Sequence, residues 1–514
     1  MDAPPRALIS VYDKAGVVDL AAGLVGLGWD LIASGGTARV IEAARLPVAD
    51  TADYTGSPTM LGHRVVTLHP RIHGGILADR DDPSHRADLE ANGIDPIDLV
   101  VVNLYPFEES PGIETIDIGG PTMVRAAAKN HAHVGVVVDP ADYESVIDEL
   151  RSAGRLSAVT RRRLARKAFA HTAAYEAAIA GWFDAGDESD DSDELGLPSA
   201  IRLELERAET LRYGENPHQQ GARYRARGAF GFFDGMVQHG GPALSYLNLM
   251  DAEAAWGLAH NLGDGPAAVI VKHANPCGAA VAGDLATAYS RAFDCDPRSA
   301  FGGVVALNAV IDEATAEAMV AAAQADVVIA PGYAGGVLER LAARRANTRL
   351  LEAAADVAGE PAWELRSLGS DNDFLLQSPR RLEADPASWQ VVTARRPTDS
   401  ELADAVFAWR VCAHTSSNAV VLARDRTAWG IGAGQQNRVQ AGEIAAAKAA
   451  GRAAGGACAS DGFYPFLDGV GAAADAGAAV VVQPGGSVND AAVIAAADER
   501  NIAMLLTGER QFRH

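Results

Sequence analysis

Short apolar runs alternate with longer Ala-rich stretches over the first 150 or so residues. Ala7–Val11, Asp30–Ala33, Leu99–Asn103 and Val134–Val138 have strand length, and the segments Val17–Leu27 and Thr37–Ala44 between them have helix length. That rhythm predicts βαβ units on a mostly parallel sheet. Residues 155–183 read as helix, and the basic start Arg161-Arg-Arg-Leu-Ala-Arg-Lys167 reads as a solvated helix face rather than a polyanion site. From Asp184 the chain turns acidic and small without apolar period, as expected of a linker. Alternation then resumes twice. One block, about 200–375, carries strands near 267–271, 303–307 and 326–330; the other, about 390–514, carries them near 419–423, 428–431, 478–482 and 503–506. Ser378–Pro386 separates the blocks, which are candidates for a diverged duplication. The expected division is an α/β domain over 1–183, a linker over 184–199, and an α/β region over 200–514 with subdomains of about 200–380 and 387–514.

A chain of 514 residues is too long for one ordinary core. Its net charge of −23 argues against duplex nucleic acid or an anionic membrane as a partner. Small anions stay open, because a phosphate is held by a local nest whatever the global sign. The start lacks a basic segment followed by an apolar one, and no apolar run has spanning length, so no signal peptide or membrane span is expected. Four unclustered cysteines, Cys277, Cys295, Cys412 and Cys458, suit a reducing cytoplasm. Of the 44 Lys plus Arg, five are Lys (14, 129, 167, 272, 448), leaving 39 Arg. A retained Lys suggests work that guanidinium does poorly, such as a point-charge phosphate contact or proton donation by a tuned amine.

Ser34-Gly-Gly36-Thr37 follows a strand and opens a helix, the pattern of an anion nest, and Ser10 and Lys14 could close over the same phosphate. Arg64 and Thr67 add donors. Tyr105, Asp117 and Lys129 are expected at strand ends of a parallel sheet, where open α/β folds bind ligands. Packing for Tyr105 and helix capping for Asp117 are equal alternatives. In the second half, Lys272-His-Ala-Asn-Pro-Cys-Gly278 puts a cation, an imidazole and a Pro/Gly turn at the end of a buried strand. Histidine, titrating near about 6.5, is the default general base. Leu211–Gln219 is too polar and irregular for an ordinary element, Thr415-Ser-Ser-Asn418 precedes a strand, and Gly430–Arg438 and Gln483–Ser487 read as Gly-rich loops that point to a phosphate-bearing ligand. Neither a Walker motif nor a dinucleotide fingerprint is matched. Pro276-Cys277 lacks the second Cys and the H-x-E element of a zinc deaminase, so no catalytic metal is expected.

Together these segments resemble the bifunctional purine-biosynthesis family that combines AICAR transformylase with IMP cyclohydrolase. Leu8-Ile-Ser-Val-Tyr-Asp-Lys14, Ala33-Ser-Gly-Gly-Thr37, Thr67-Leu-His-Pro70, Asn103-Leu-Tyr-Pro-Phe107, Ile116-Asp-Ile-Gly-Gly-Pro121, Arg125-Ala-Ala-Ala-Lys-Asn-His131, Leu211-Arg-Tyr-Gly214, Lys272–Gly278 and Gly430–Gln435 carry the resemblance nearly end to end. It implies a methylglyoxal-synthase-like N-terminal domain, a transformylase region of two cytidine-deaminase-like αβα subdomains without zinc, and a homodimer with transformylase sites at the interface. It also implies formyl transfer from 10-formyltetrahydrofolate to AICAR, then closure of formyl-AICAR to IMP with loss of water. Lys272, His273 and Asn418 would carry formyl transfer, while Arg212, Tyr213, Arg438, Phe463, Arg510, Phe512 and His514 would hold the nucleotide. For the cyclohydrolase the resemblance assigns catalysis to Tyr105, Asp117 and Lys129, and the phosphate end to Ser10, Lys14, Ser34, Gly36, Thr37, Arg64 and Thr67. A structural monovalent cation is left open. The chain departs from the family at Val66, where a Lys belongs, at Ala15, and in a shortened 106–116 segment. A weakened cyclohydrolase is expected, with a transformylase-only protein as the alternative.

Overall fold

The computed structural model describes residues 4–62, 64–186, 197–198, 200–354, 363–369 and 372–514. Most of the acidic stretch read as a linker, 187–196 and 199, lies outside them. Two compact units divide at Glu204 and Leu205.

In the first unit, β1 (Arg6–Ile9), β2 (Asp30–Ala33), β3 (Ala49–Asp50), β4 (Leu99–Val101) and β5 (Gly135–Val137) form an all-parallel sheet in the order β3-β2-β1-β4-β5. Helices cover both faces, so Ala7, Leu8 and Ile9 are all fully buried; the strands therefore read as unbroken apolar runs rather than alternating ones. Chain order reverses between β1 and β4, which opens a crevice at their C-terminal ends. The basic start of the helix Ala158–Gly186 binds its own domain. Arg161 donates to the carbonyls of His131 and Ala132, and Lys167 pairs with Asp139 and Asp142 at 2.6 Å each.

The second unit opens on a hairpin of β6 (Leu205–Thr210) and β7 (Ala222–Ala226). Its main sheet has twelve strands: β8 (Val237–Gly240), β9 (Ala267–Lys272), β10 (Asn275–Val281), β11 (Val304–Leu307), β12 (Val327–Ala330), β13 (Arg349–Glu352), then, beyond an excursion into the hairpin β14 (Glu364–Ser367) and β15 (Phe374–Gln377), β16 (Gln390–Val391), β17 (Val420–Arg424), β18 (Thr427–Gly432), β19 (Ala457–Ser460), β20 (Val480–Gln483) and β21 (Ala503–Leu506). The order is β16-β21-β20-β19-β17-β18-β10-β9-β11-β12-β13-β8. Antiparallel pairing of β10 with β18, at Ala280 and Thr427, makes the seam. Outward from it, each half runs through a hairpin, three mutually parallel strands and an antiparallel edge strand. The two sequence blocks are thus one fold used twice on a single continuous sheet.

Two sequence expectations change here. Asn275–Val281, read as a Pro/Gly turn, is a strand of the first hairpin. Gly430 and Gly432, read as a phosphate loop, lie in β18. A Cβ on Gly430 would stand 2.0 Å from the Ala445 carbonyl oxygen, and one on Gly432 1.9 Å from that of Ala441, so both positions let the helix Arg438–Ala449 press on the strand. Gly278 does the same in the first half, 1.9 Å from the Ala292 oxygen. Gln483, where the last Gly-rich loop begins, closes β20; it is fully buried and its side-chain oxygen accepts from the Tyr464 N–H at 3.0 Å.

Candidate functional site

The crevice between β1 and β4 widens into a cavity of about 800 Å³ in the first unit. Ser10, Lys14, Ser34, Gly36, Thr37, Arg64, Thr67, Tyr105 and Asp117 all line it, together with Tyr12, Val66 and Asn103. Asn103 holds the crevice together: its side-chain oxygen accepts from the N–H groups of Tyr12 at 2.5 Å and Asp13 at 3.0 Å. Ser10 and Ser34 hydroxyls meet at 2.6 Å, while Thr37 is buried, its Oγ1 donating to the Val11 carbonyl at 3.1 Å. The helices Gly35–Ala43 and Gly119–Lys129 both begin at this cavity. Their unpaired N–H groups and dipoles favour an anion there. Arg64 is ion-paired with Glu114, and the Lys14 ammonium folds back onto the Val11 and Tyr12 carbonyls. Burial lowers the Lys14 pKa, and Arg39 adds to the effect against Asp13.

Asp117 does two things. Its Oδ1 accepts from the Gly120 N–H at 2.8 Å, capping the helix, and its carboxyl faces the cavity. Burial raises its pKa against the pull of the Gly120 and Gly119 amides. The Tyr105 phenol is also pushed up, by burial first and then by Asp117 and Tyr12. Tyr12, which the sequence motifs did not single out as a site residue, meets Tyr105 edge-on with ring centroids 5.4 Å apart.

Lys129 is not in this cavity. It is exposed at the far end of the helix that Gly119 begins, ten residues on, and a rise of 1.5 Å per residue puts it about 15 Å away. The family resemblance groups it with Asp117 in catalysis; in this structure the two stand at opposite ends of the helix. One grouping of metal-ligating type occurs among the described residues, Asp79, Asp81 and His133, and it lies outside the cavity lining.

In the second unit the β9–β10 turn carries Lys272 and His273. His273 and Ala274 are both left-handed, with φ of 55° and 58°. Asn275, just after them, accepts through Oδ1 from the Ser416 N–H at 2.8 Å, which ties this turn to the loop before β17. Asn418 on that loop donates through Nδ2 to the Gln435 carbonyl at 2.9 Å. The C-terminal segment docks on the same loop: the Arg513 carbonyl accepts from the Ser417 N–H at 2.9 Å, and Arg513 Nη1 donates to the His414 carbonyl at 2.7 Å. Arg510 lies over the Phe512 ring at 4.4 Å, and Phe512 meets His514 edge-on at 5.9 Å.

Asp461 organises the other side. It is fully buried, its Oδ1 pairs with Arg438 Nη2 at 2.8 Å, and its Oδ2 accepts from the Ser417 hydroxyl at 2.5 Å. Its carbonyl accepts from the Gln511 N–H at 3.1 Å, and Arg438 also donates to the Phe463 carbonyl at 3.1 Å. A Cβ on Gly462 would lie 2.5 Å from Arg438 Nη2 and 2.7 Å from the Phe512 ring, so glycine is what lets these groups close up. His273, Asn418, Arg438, Phe463, Arg510, Phe512 and His514 are thereby carried on connected segments at one end of the seam. The Lys272 ammonium donates to the Phe301 carbonyl at 2.8 Å. Arg212 and Tyr213 are not joined to this cluster. Among the described residues, neither has a hydrogen bond or ion pair to it; Arg212 lies over the Tyr213 ring at 5.4 Å. Asp461 and Asp251 (below) escaped sequence reading because a lone Asp carries no pattern, whereas Asn275 lay inside the Lys272–Gly278 motif without a role of its own. The one available signal was the position of Asp461 between an apolar strand and Gly462-Phe463.

Comparison with known proteins identifies the family. A family model described as AICARFT/IMPCHase bienzyme matches residues 127–448, well over half the chain, and one described as an MGS-like domain matches 16–127. Among solved structures, "Crystal structure of ForH" is 40% identical, covering 35% of this chain and 100% of its own, with a TM-score of 0.33. No helix among the described residues is long and apolar enough to cross a membrane. The N-terminal domain is MGS-like, and the chain belongs to the AICARFT/IMPCHase bienzyme family.

Proposed function

We propose that the second unit transfers the formyl group of 10-formyltetrahydrofolate to the 5-amine of AICAR, and that the first unit closes the product to IMP. The observation that carries the first step is the Asn275–Ser416 hydrogen bond, which joins the His273 turn to the Asn418 loop. The amine is a poor nucleophile, since ring and carboxamide withdraw its lone pair. His273 takes a proton from it as the nitrogen attacks the formyl carbon; the bond from that carbon to the folate nitrogen breaks, and that nitrogen is protonated. Lys272 stabilises the developing charge, and Asn418, with one amide hydrogen committed to Gln435, polarises the formyl oxygen with the other. Arg438, Phe463, Arg510, Phe512 and His514 hold the nucleotide. Arg212 and Tyr213, which are not bonded to these segments, fit a homodimer in which a second copy completes the site.

In the first unit the nucleotide phosphate rests on the two helix N-termini with Ser10, Ser34, Gly36, Thr37 and Thr67. The carboxamide nitrogen attacks the formyl carbon and water leaves. Tyr105, its phenol held protonated by burial and by Asp117, donates to the formyl oxygen; Asp117 takes the carboxamide proton and gives it to the departing hydroxyl, and the formamide N–H proton returns to Tyr105 as the ring C=N bond forms. The apolar Val66 in this lining and the distance of Lys129 favour a second reading, in which ring closure is lost and the domain only binds nucleotide.

Purified protein mixed with AICAR and the folate, with both products followed by absorbance, tests the whole. The bifunctional reading requires formyl transfer, its loss on His273→Ala, and closure of supplied formyl-AICAR above the spontaneous rate. Closure at background supports the second reading, and an unchanged rate in His273→Ala removes the mechanism. Val66→Lys should speed closure without changing formyl transfer.

A further inference from the structure

The turn that carries His273 is held by a carboxylate on a neighbouring helix. Asp251, in Tyr246–Asn261, accepts from the Ala274 N–H through Oδ1 at 2.7 Å and from the His273 N–H through Oδ2 at 3.3 Å. Two successive left-handed residues that are not glycine are costly, about 1 kcal/mol or more each, and persist only where the surroundings fix them. The turn carbonyls are fixed as well: that of His273 accepts from Asn275 Nδ2 at 3.2 Å, and that of Ala274 from Arg513 Nη1 at 3.4 Å.

The duplicated half repeats the device. Asp404, in the matching helix Asp399–Ala413, accepts from the Arg426 N–H at 2.7 Å and the Asp425 N–H at 3.1 Å. Asp425 and Arg426 form the β17–β18 turn and are left-handed too, with φ of 53° and 51°. One end of the seam therefore has the cap without an imidazole, and the other has the cap with one. The fold supplies the cap at both ends; at the first it also fixes the backbone on which His273 stands.

We propose that Asp251 is a positioning residue for formyl transfer, pinning the left-handed His273–Ala274 turn so that the imidazole stays aimed at the Asn418 loop. The proposal rests on His273 being the base. Asn in place of Asp keeps one acceptor but sets an NH₂ group against the second turn N–H, in both halves alike. Asp251→Asn and Asp404→Asn therefore remove the same bond from matching turns, and Asp404→Asn serves as the control for a purely structural loss.

The full-length variants are compared by thermal unfolding and by steady-state formyl transfer. Asp251→Asn should lower kcat about tenfold to a hundredfold with little change in KM for AICAR, as expected of a misplaced base. Asp404→Asn should lower the unfolding midpoint comparably and leave kcat within about twofold. Should Asp251→Asn not fold, the pair Asp251→Glu and Asp404→Glu, which keeps the carboxylate but shifts it by one methylene, carries the same comparison. Equal kcat in the two members of a pair overturns the proposal. His273→Ala, run alongside, separates the failures. Loss of activity there with no difference between Asp251 and Asp404 variants removes only the positioning role; full activity there removes the base assignment beneath it.

Discussion

Replacing Asp461 by Asn tests how the nucleotide side of the second unit is held. The carboxylate is fully buried and bonded to Arg438 at 2.8 Å and Ser417 at 2.5 Å. Asn is nearly isosteric, so the change is one of charge and hydrogen-bond polarity rather than volume. It leaves a largely buried guanidinium without its counter-charge, a loss of about 3–5 kcal/mol for a broken buried pair. One retained hydrogen bond offsets about 1 kcal/mol, so the expected destabilisation is about 2–4 kcal/mol. Five of the seven tryptophans, at 256, 363, 389, 409 and 429, belong to the second unit, so tryptophan fluorescence during urea unfolding reads mainly this unit. Arg438, freed from Asp461, should also lose its aim: KM for AICAR should rise about tenfold, equivalent to about 1.4 kcal/mol. Closure of supplied formyl-AICAR should not move, because the proposed assignment gives that chemistry to the first unit. A destabilisation under about 0.5 kcal/mol with unchanged KM would refute the reasoning, since that is the size of an ordinary surface substitution.

Two further predictions concern one group in each unit. Gly120→Ala would put a Cβ 2.2 Å from Asp117 Oδ2 and 2.8 Å from Leu104, so Asp117 must leave its cap. Overpacking costs about 1–3 kcal/mol, and the lost cap about 1 kcal/mol. Ring closure should fall while formyl transfer persists, and equal loss of both activities would count against the assignment. His414 is held neutral, its pKa lowered to about 3 by burial first and then by Arg380 and Arg513. An unfolded chain takes up that proton near pH 6.5 while the folded one refuses it, so stability falls as pH drops from about 6.5 towards about 3. His414→Gln should flatten that slope in urea unfolding measured across the window, and an unaltered slope would assign the acid sensitivity to other groups.

The sequence was most legible where burial on both faces forces an unbroken apolar run, as at Ala7–Ile9, Ala267–Val271 and Ala503–Leu505. It was least legible where glycine serves packing. Gly278, Gly430 and Gly432 sit in strands because a helix backbone crosses within reach of their missing side chains, and that contact is set by the tertiary fold alone. The cavity residues of the first unit came together because their motifs sit at strand ends, which a parallel sheet gathers on one edge. Lys129 belongs to the same motif-rich stretch as Asp117, yet a straight helix separates its two ends. Asp251 and Asp461 act through long-range bonds to backbone and guanidinium groups, and single letters give no hint of such partners.

The seam between β10 and β18 leaves neither half of the second unit self-sufficient. One contributes His273 and the other Asn418 and Arg438, and the pairing of β10 with β18 joins the segments that carry them. Formyl transfer should therefore be the first property to vanish when the halves part, by slow unzipping or by a nick between them, while each still keeps its own apolar interior. Activity, on this view, gauges the joint before it gauges the fold.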